Sequence, residues 1–410
     1  MDNKVSRRQL LRGALTDVAL NPSKETARDI LVTVFMRGGA DGLNIVVPYA
    51  EDAYHRHRPN LCVPVPTDKT AAAAARAIDL DGFFGMNPAM APLVPHWHDG
   101  IVSFVHAIGS ADQTRSHFEA MMTMERGQPN DETGAASGWL ARHLSTSAPE
   151  KSSPLRAVAF SNTMPDILRG ATDATALNSL NDFRLVVPGG GRRETEMRSA
   201  LAAFYAEGSD AAAEAGRETL AVLETLNRLS PASYKPANGA AYPVSDLGTG
   251  LRQVACLVRG NVGLEVACLD HRGPYSWDTH VTQNPFFGQQ LGDLATALAA
   301  FLRDMGPEMA RITLVVFTEF GRRLQEGSSL GTDHGRGSCM FLMGRNIVGG
   351  KVFRRWPGLE EKQLEPPGDL RVTTDYRDVL AEIVTKRLQN PRLSDIFPDY
   401  TPNPLGVVKG

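Results

Sequence analysis

The amino-acid sequence predicts an α/β fold, with a mostly parallel central sheet, helices on both faces and a helical insertion. Two observations carry the prediction. Short apolar, β-branched runs recur along the chain, each reading as a strand buried on both faces. Helical segments fall between them, and strands alternating with helices build parallel sheets covered on both sides.

The first run, Ile30 to Met36, is closed by Arg37-Gly38-Gly39. Ile101 to His106, Arg156 to Phe160, Leu264 to Leu269, Ile312 to Phe317 and Cys339 to Met343 read the same way. His117 to Arg126 follows a serine in a helix-capping position. Arg193 to Leu229 is rich in alanine, glutamate and leucine, with breaks expected near Gly208 and Gly216. Phe286 to Met305 and Tyr376 to Leu388 place apolar residues at helical spacing. Thr67 to Ala77, with its run of alanines, reads as a short surface helix or loop. Residues 165–250 are helix-rich and punctuated by Pro188-Gly189-Gly190-Gly191 and by Pro231 to Pro236. They are expected to form the insertion, lying over the functional edge of the sheet. The chain thus divides into an N-terminal segment 1–29, an α/β domain 30–400 and a tail 401–410.

Composition narrows the function classes. At 410 residues, 42% hydrophobic and 22% charged, the chain has ordinary globular proportions. A formal net charge of -3 gives no electrostatic case for nucleic acid or anionic lipid as partner. No apolar stretch approaches the roughly 20 residues of a membrane span. The cysteines Cys62, Cys256, Cys268 and Cys339 stand far apart and read as free thiols. Near the start, Ser6-Arg7-Arg8-Gln9-Leu10-Leu11-Arg12 resembles a twin-arginine export motif. The apolar core after it is short and interrupted by Asp17, with no small-x-small cleavage site before the first strand. That reading favours a cytoplasmic address, with the periplasm as the alternative.

In open α/β sheets ligands bind beyond the carboxyl ends of the strands, and four polar segments stand there. After Met36 comes Arg37-Gly38-Gly39-Ala40-Asp41-Gly42, whose glycines allow a sharp turn carrying Asp41; an Asp-Gly turn without a ligand would look alike. After the second run comes Arg115-Ser116-His117, with Ser116 opening a helix whose amino end favours negative charge. A hydroxyl there suits a nucleophile, with Arg115 adding charge and His117 a proton shuttle, although a plain capping serine fits the same pattern. After Leu269, Asp278 and His280 alternate by two and share a side of an extended loop. Mixed carboxylate and imidazole ligands suit zinc, manganese or iron, whereas calcium favours oxygen alone. After Phe317, Glu319 is a candidate ligand, partner of a histidine, or general base. The pair Asp333-His334 between glycines can reach one metal where the backbone turns tightly.

These segments, with Tyr376-Arg377-Asp378, resemble the bacterial domain-of-unknown-function family 1501 over roughly Ile30 to Pro398. That family is itself similar to the alkaline phosphatase/sulfatase superfamily. The resemblance implies an alkaline phosphatase-like domain in which Asp41, Asp333 and His334 form one metal site. Ser116 would be the nucleophile, and Asp278 with His280 would begin a second metal site. Two features depart from the superfamily: Asp278 and His280 stand only two apart, and no histidine follows His334. Glu319 or His271 would then substitute for the last ligand, or a single metal would bind.

The resulting expectation is a hydrolase of phosphate or sulfate esters that uses one or two divalent ions (zinc, manganese or calcium) and a small anionic ester substrate. The alternative is a binding or assembly protein, with a protein partner, that keeps the fold without turnover. A metal-free serine hydrolase is disfavoured because no G-x-S-x-G elbow is present.

Overall fold

Seven consecutive buried residues place Ile30–Met36 (β1) at the centre of the molecule. The computed structural model describes residues 28–129, 137–147 and 153–409, so the arginine-pair motif lies outside the described residues. The other strands of the main sheet are β2 (Val102–Gly109), β3 (Ala157–Phe160), β4 (Ala174–Leu177), β5 (Val266–His271), β6 (Ile312–Phe317), β7 (Ser338–Met343), β8 (Val352–Phe353) and β9 (Thr374–Asp375). Across the sheet they run β8-β2-β7-β6-β1-β5-β3-β4, with β9 also paired to β2. β1 pairs in parallel with β5, Met36 opposite His271, and with β6, Phe35 opposite Phe317.

Of these strands β7 alone runs against the rest, antiparallel to both β6 and β2. That reversal has a direct consequence for function. The segments leaving β1, β2, β5 and β6 emerge at the carboxyl edge, and the segment entering β7 arrives at the same edge. Residues 331–337 therefore meet the other four polar segments.

Alternation along β1 sends Ile30, Val32, Val34 and Met36 to one apolar cluster, and Leu31 and Phe35 to another. The helices α1 (His117–Arg126), α2 (Trp139–Thr146), α3 (Arg192–Ala206), α4 (Ala211–Leu229), α5 (Asp246–Arg259), α6 (Gln283–Met305) and α7 (Tyr376–Lys386) follow in chain order. The first cluster holds Leu251 and Val254 of α5 and Leu294 and Leu298 of α6. The second holds Met124 of α1, Leu140 of α2 and Ile383 of α7. The expected mostly parallel sheet with helices on both faces is borne out.

All six apolar runs are strands. β4, β8 and β9, of four residues or fewer, carry too little pattern to be seen in the sequence. The helical run 193–229 breaks near Gly208 as expected, but Gly216 lies inside α4. There the ring of Tyr205 packs where a Cβ would stand, 2.6 Å away, so the glycine serves helix–helix contact and not a break. α3 buries none of its residues, whereas Val222 and Leu226 anchor α4 in the first cluster. Only a short 3-10 turn, Ala73–Ala75, forms in the alanine run. The four cysteines are free, three of them buried. Among the described residues no helix is long and apolar enough to cross a membrane.

At the opposite, amino-terminal edge a buried charge cluster ties β3 to β5 and α2. Glu265 accepts hydrogen bonds from Arg156 Nε at 2.7 Å and from His143 Nε2 at 2.8 Å. Burial alone would raise the Glu265 pKa, but His143 and then Arg156 outweigh it and hold the carboxyl at about 2. A folded-state pKa below the unfolded value stabilises the fold above the unfolded pKa of about 4.3 and loses that contribution as pH falls through about 2. The contribution is about 3 kcal/mol. In denaturant titrations the stability gap between the wild type and Glu265→Gln should therefore close between about pH 4.3 and pH 2. A gap that persists at pH 2 would contradict this assignment.

Candidate functional site

The turn after β1 shows why its glycines are needed. Gly39 adopts φ +66°, and a Cβ there would stand 2.4 Å from the ring of Phe320. With the backbone drawn this close, Gly38 N–H donates to Glu319 Oε1 at 2.8 Å. The carbonyls of Gly38 and Gly39 each accept from Arg322 at 2.6 Å. The turn thus anchors Glu319 and Arg322, two side chains delivered by the end of β6.

Those two side chains in turn orient the residues of the edge. Glu319 Oε1 lies 2.8 Å from His117 Nδ1, at the start of α1. Arg322 NH2 donates to Asp278 Oδ1 at 2.6 Å. Opposite them, His334 Nδ1 lies 2.8 Å from the carbonyl oxygen of Arg115. Arg322–Glu326 and Thr332–His334 pair as an antiparallel hairpin, and Gly335 permits its close approach, since a Cβ there would stand 2.5 Å from the backbone of Arg322.

The free ends of these side chains converge. One donor atom from each of His117, Asp278 and His334 lies within 4.8 Å of the others, a group of three able to hold a metal ion. His334 Nε2 is 3.1 Å from Asp278 Oδ1 and 2.9 Å from His280 Nε2, while His280 Nε2 is 3.0 Å from Asp278 Oδ1. His117 Nε2 faces Asp278 Oδ2 at 3.4 Å and is buried without a hydrogen-bond partner. An orphaned ring nitrogen aimed at a carboxylate and a second imidazole is what a cation site presents.

Electrostatics follow the same geometry. Contact with Asp278, then Glu319, pushes the His117 imidazole up to about 9. Burial works against ionisation of Asp278, but His117 and Arg322 hold its carboxyl far below the usual range. Burial lowers His280, with Arg322 adding to the effect. Burial opposes ionisation of Asp333 too, yet the His334 N–H and Arg323 bring it below its ordinary value.

The remaining expected residues are placed differently. Asp41 was expected beside Asp333 and His334, but its carboxylate is fully buried against Arg58, which donates to Oδ2 at 2.6 Å. Gln283 donates to the same oxygen at 2.7 Å. Asp333 lies on the exposed side of the hairpin, 3.1 Å from Arg323 and 3.8 Å from His280 Nδ1. Arg115 turns its guanidinium to the buried Asp369 at 2.5 Å. Ser116 precedes α1 and makes no side-chain capping bond. His271 pairs with Asp293 at 3.1 Å beneath Trp277, which donates to its carbonyl. The sequence reading missed Arg58, Arg322 as the partner of Asp278, and His117 as a donor. Of these, His117 stood in a segment already singled out, Arg115-Ser116-His117, and Arg322 follows the singled-out Glu319 by three positions, whereas Arg58 carried no signal.

No curated protein matches the chain in sequence. Among solved structures, it overlays loosely on the C-terminal periplasmic domain of EcEptC from Escherichia coli in complex with Zn. That match has 8% identity, 78% of this chain and 74% of that chain covered, and a TM-score of 0.34. The lipoteichoic acid synthase LtaP from Listeria monocytogenes overlays at 9% identity, 80% and 69% coverage, and a TM-score of 0.33. Ps i-CgsB in complex with k-i-k-neocarrahexaose gives 9%, 80% and 68%, and 0.33. Likeness this loose carries no argument about chemistry. The model of the family described as "Protein of unknown function (DUF1501)" matches residues 28–388, and the chain belongs to that family.

Proposed function

We propose that the chain is a metal-dependent hydrolase of phosphate or sulfate esters, a distant relative of the alkaline phosphatase/sulfatase superfamily. The observation that carries this reading is the convergence of His117, Asp278 and His334, brought from three separate segments onto one point. With Nδ1–H of His117 donating to Glu319 and Nδ1–H of His334 to the carbonyl oxygen of Arg115, Nε2 of both rings faces the cluster, open to an ion that displaces its proton. Asp278 Oδ2 completes the set, with His280 beside it. Imidazoles with one carboxylate suit zinc or manganese; calcium would want oxygens. When bound, the ion supplies Lewis-acid polarisation and charge neutralisation at an ester oxygen.

The chain's own groups do the rest. Ser116, with its hydroxyl uncommitted at the amino end of α1, is the proposed nucleophile, and the helix N–H groups there favour the incoming anion. Arg115 and Arg323, both about one-third exposed and paired with Asp369 and Asp333, would add positive charge near the substrate's remaining oxygens. Glu319 acts by holding His117 in one tautomer and orientation, a positioning role. One feature favours the second reading, a binding protein without turnover. The buried guanidinium of Arg322 already occupies one oxygen of Asp278, leaving less room there for a second cation.

Protein purified without chelator should carry about one equivalent of divalent metal. Ser116→Ala should keep that metal while ester hydrolysis falls by at least roughly 10³-fold. Absence of bound metal, together with no activation by zinc, manganese or calcium, would sink the hydrolase reading. A Ser116→Ala protein that retains full biological activity would favour the binding reading.

A further inference from the structure

Ten large apolar side chains are exposed among the described residues, and five of them sit on the segments that build the donor cluster. Phe118, 87% exposed, directly follows His117; Val281, 65% exposed, directly follows His280. Leu330, 46% exposed, belongs to the hairpin that carries His334. Tyr275 and Phe286, on the segment that carries Asp278 and His280 and at the start of α6, are exposed too, their rings 4.7 Å apart.

These side chains are held in place, not left over. Thr282 N–H donates to Ser329 O at 2.9 Å and Gln283 N–H to Leu330 O at 2.8 Å, which joins the two loops side by side. Thr282 and Leu330 both adopt positive φ, +44° and +57°. Side chains bearing a Cβ rarely adopt that conformation, and such strain gathers at functional sites. The segments that carry Phe118 and Leu330 also carry the cations Arg115 and Arg323, both paired with the buried Asp369. A ligand complementary to this surface has an anionic head and an apolar body.

We propose that the site takes phosphate or sulfate esters of an apolar group, aryl or alkyl, rather than of a polyol. The head would lie on the donor cluster and the organic group against Val281, Leu330 and Phe118. This inference rests on the metal–ester reading above.

The test is calorimetric titration of the zinc-loaded full-length protein with phenylphosphonate and with methylphosphonate, which share a head group. Phenylphosphonate should bind at least about tenfold tighter, the effect of removing on the order of 55 Å² of apolar surface from water. The Phe118→Ser/Val281→Ser variant should bring the two affinities within about twofold while methylphosphonate binding holds. Equal affinities in the wild type, or a preference that survives the double variant, would overturn the apolar assignment and leave the ester reading standing. If neither phosphonate binds while zinc is bound, the ester reading itself falls and this inference with it.

Discussion

His334→Ala should cost the protein its metal: zinc affinity is expected to fall at least about a hundredfold, and ester hydrolysis to background. The expectation comes from the central place of this ring. Its Nε2 stands 2.9 Å from His280 and 3.1 Å from Asp278, while Nδ1 is fixed on the carbonyl of Arg115. Elemental analysis and metal titration of the purified variant check the result directly. A variant that keeps a full equivalent of metal would move the donor set away from His334.

Asp41→Asn should do the reverse, destabilising the fold by about 3–5 kcal/mol while leaving metal content unchanged. Asp41 and Arg58 are both fully buried, and removing one charge leaves the other unpaired in the interior. Arg58 also donates to the carbonyl oxygens of Leu324 and Arg323, so the pair fastens the hairpin strand of the site to the rest of the fold. Chemical denaturation with parallel metal analysis separates the two roles. Loss of metal with little loss of stability would return Asp41 to the metal site.

Asp41 and His334 also mark what could and could not be read from neighbouring residues in the chain. The two looked alike in the sequence: each stands in a glycine-flanked polar segment next to an apolar run. Their fates differ because of partners remote in the chain. Arg58 follows a short helix and carried no sign of its destination, yet it pairs with one oxygen of the buried Asp41 carboxylate. His117 was read as a proton shuttle because it neighbours the serine. Glu319, some 200 positions later, turns its Nε2 toward Asp278.

The strands were legible because burial on both faces requires an unbroken apolar run, and that requirement is written in adjacent residues. Ile30–Met36 and Ile312–Phe317 have the observed boundaries of the predicted runs. Runs as short as Val352–Phe353 leave no pattern of their own and form because β2 offers them a partner. The direction of β7 was not legible either, since an apolar run reads the same whichever way it points.

The sequence alone determined that this protein builds a mostly parallel sheet with helices on both faces, and that polar segments containing Asp278, Glu319 and His334 stand at strand ends. It did so because hydrophobic periodicity and glycine turns are local properties. Only the tertiary structure decided which charged groups meet. The reversed β7 delivers His334 to the carboxyl edge, Arg322 and Glu319 orient the donors, and Arg58 claims Asp41. A charge's partner is set by whichever group the completed fold brings within a few ångströms, and no spacing along the chain encodes that distance.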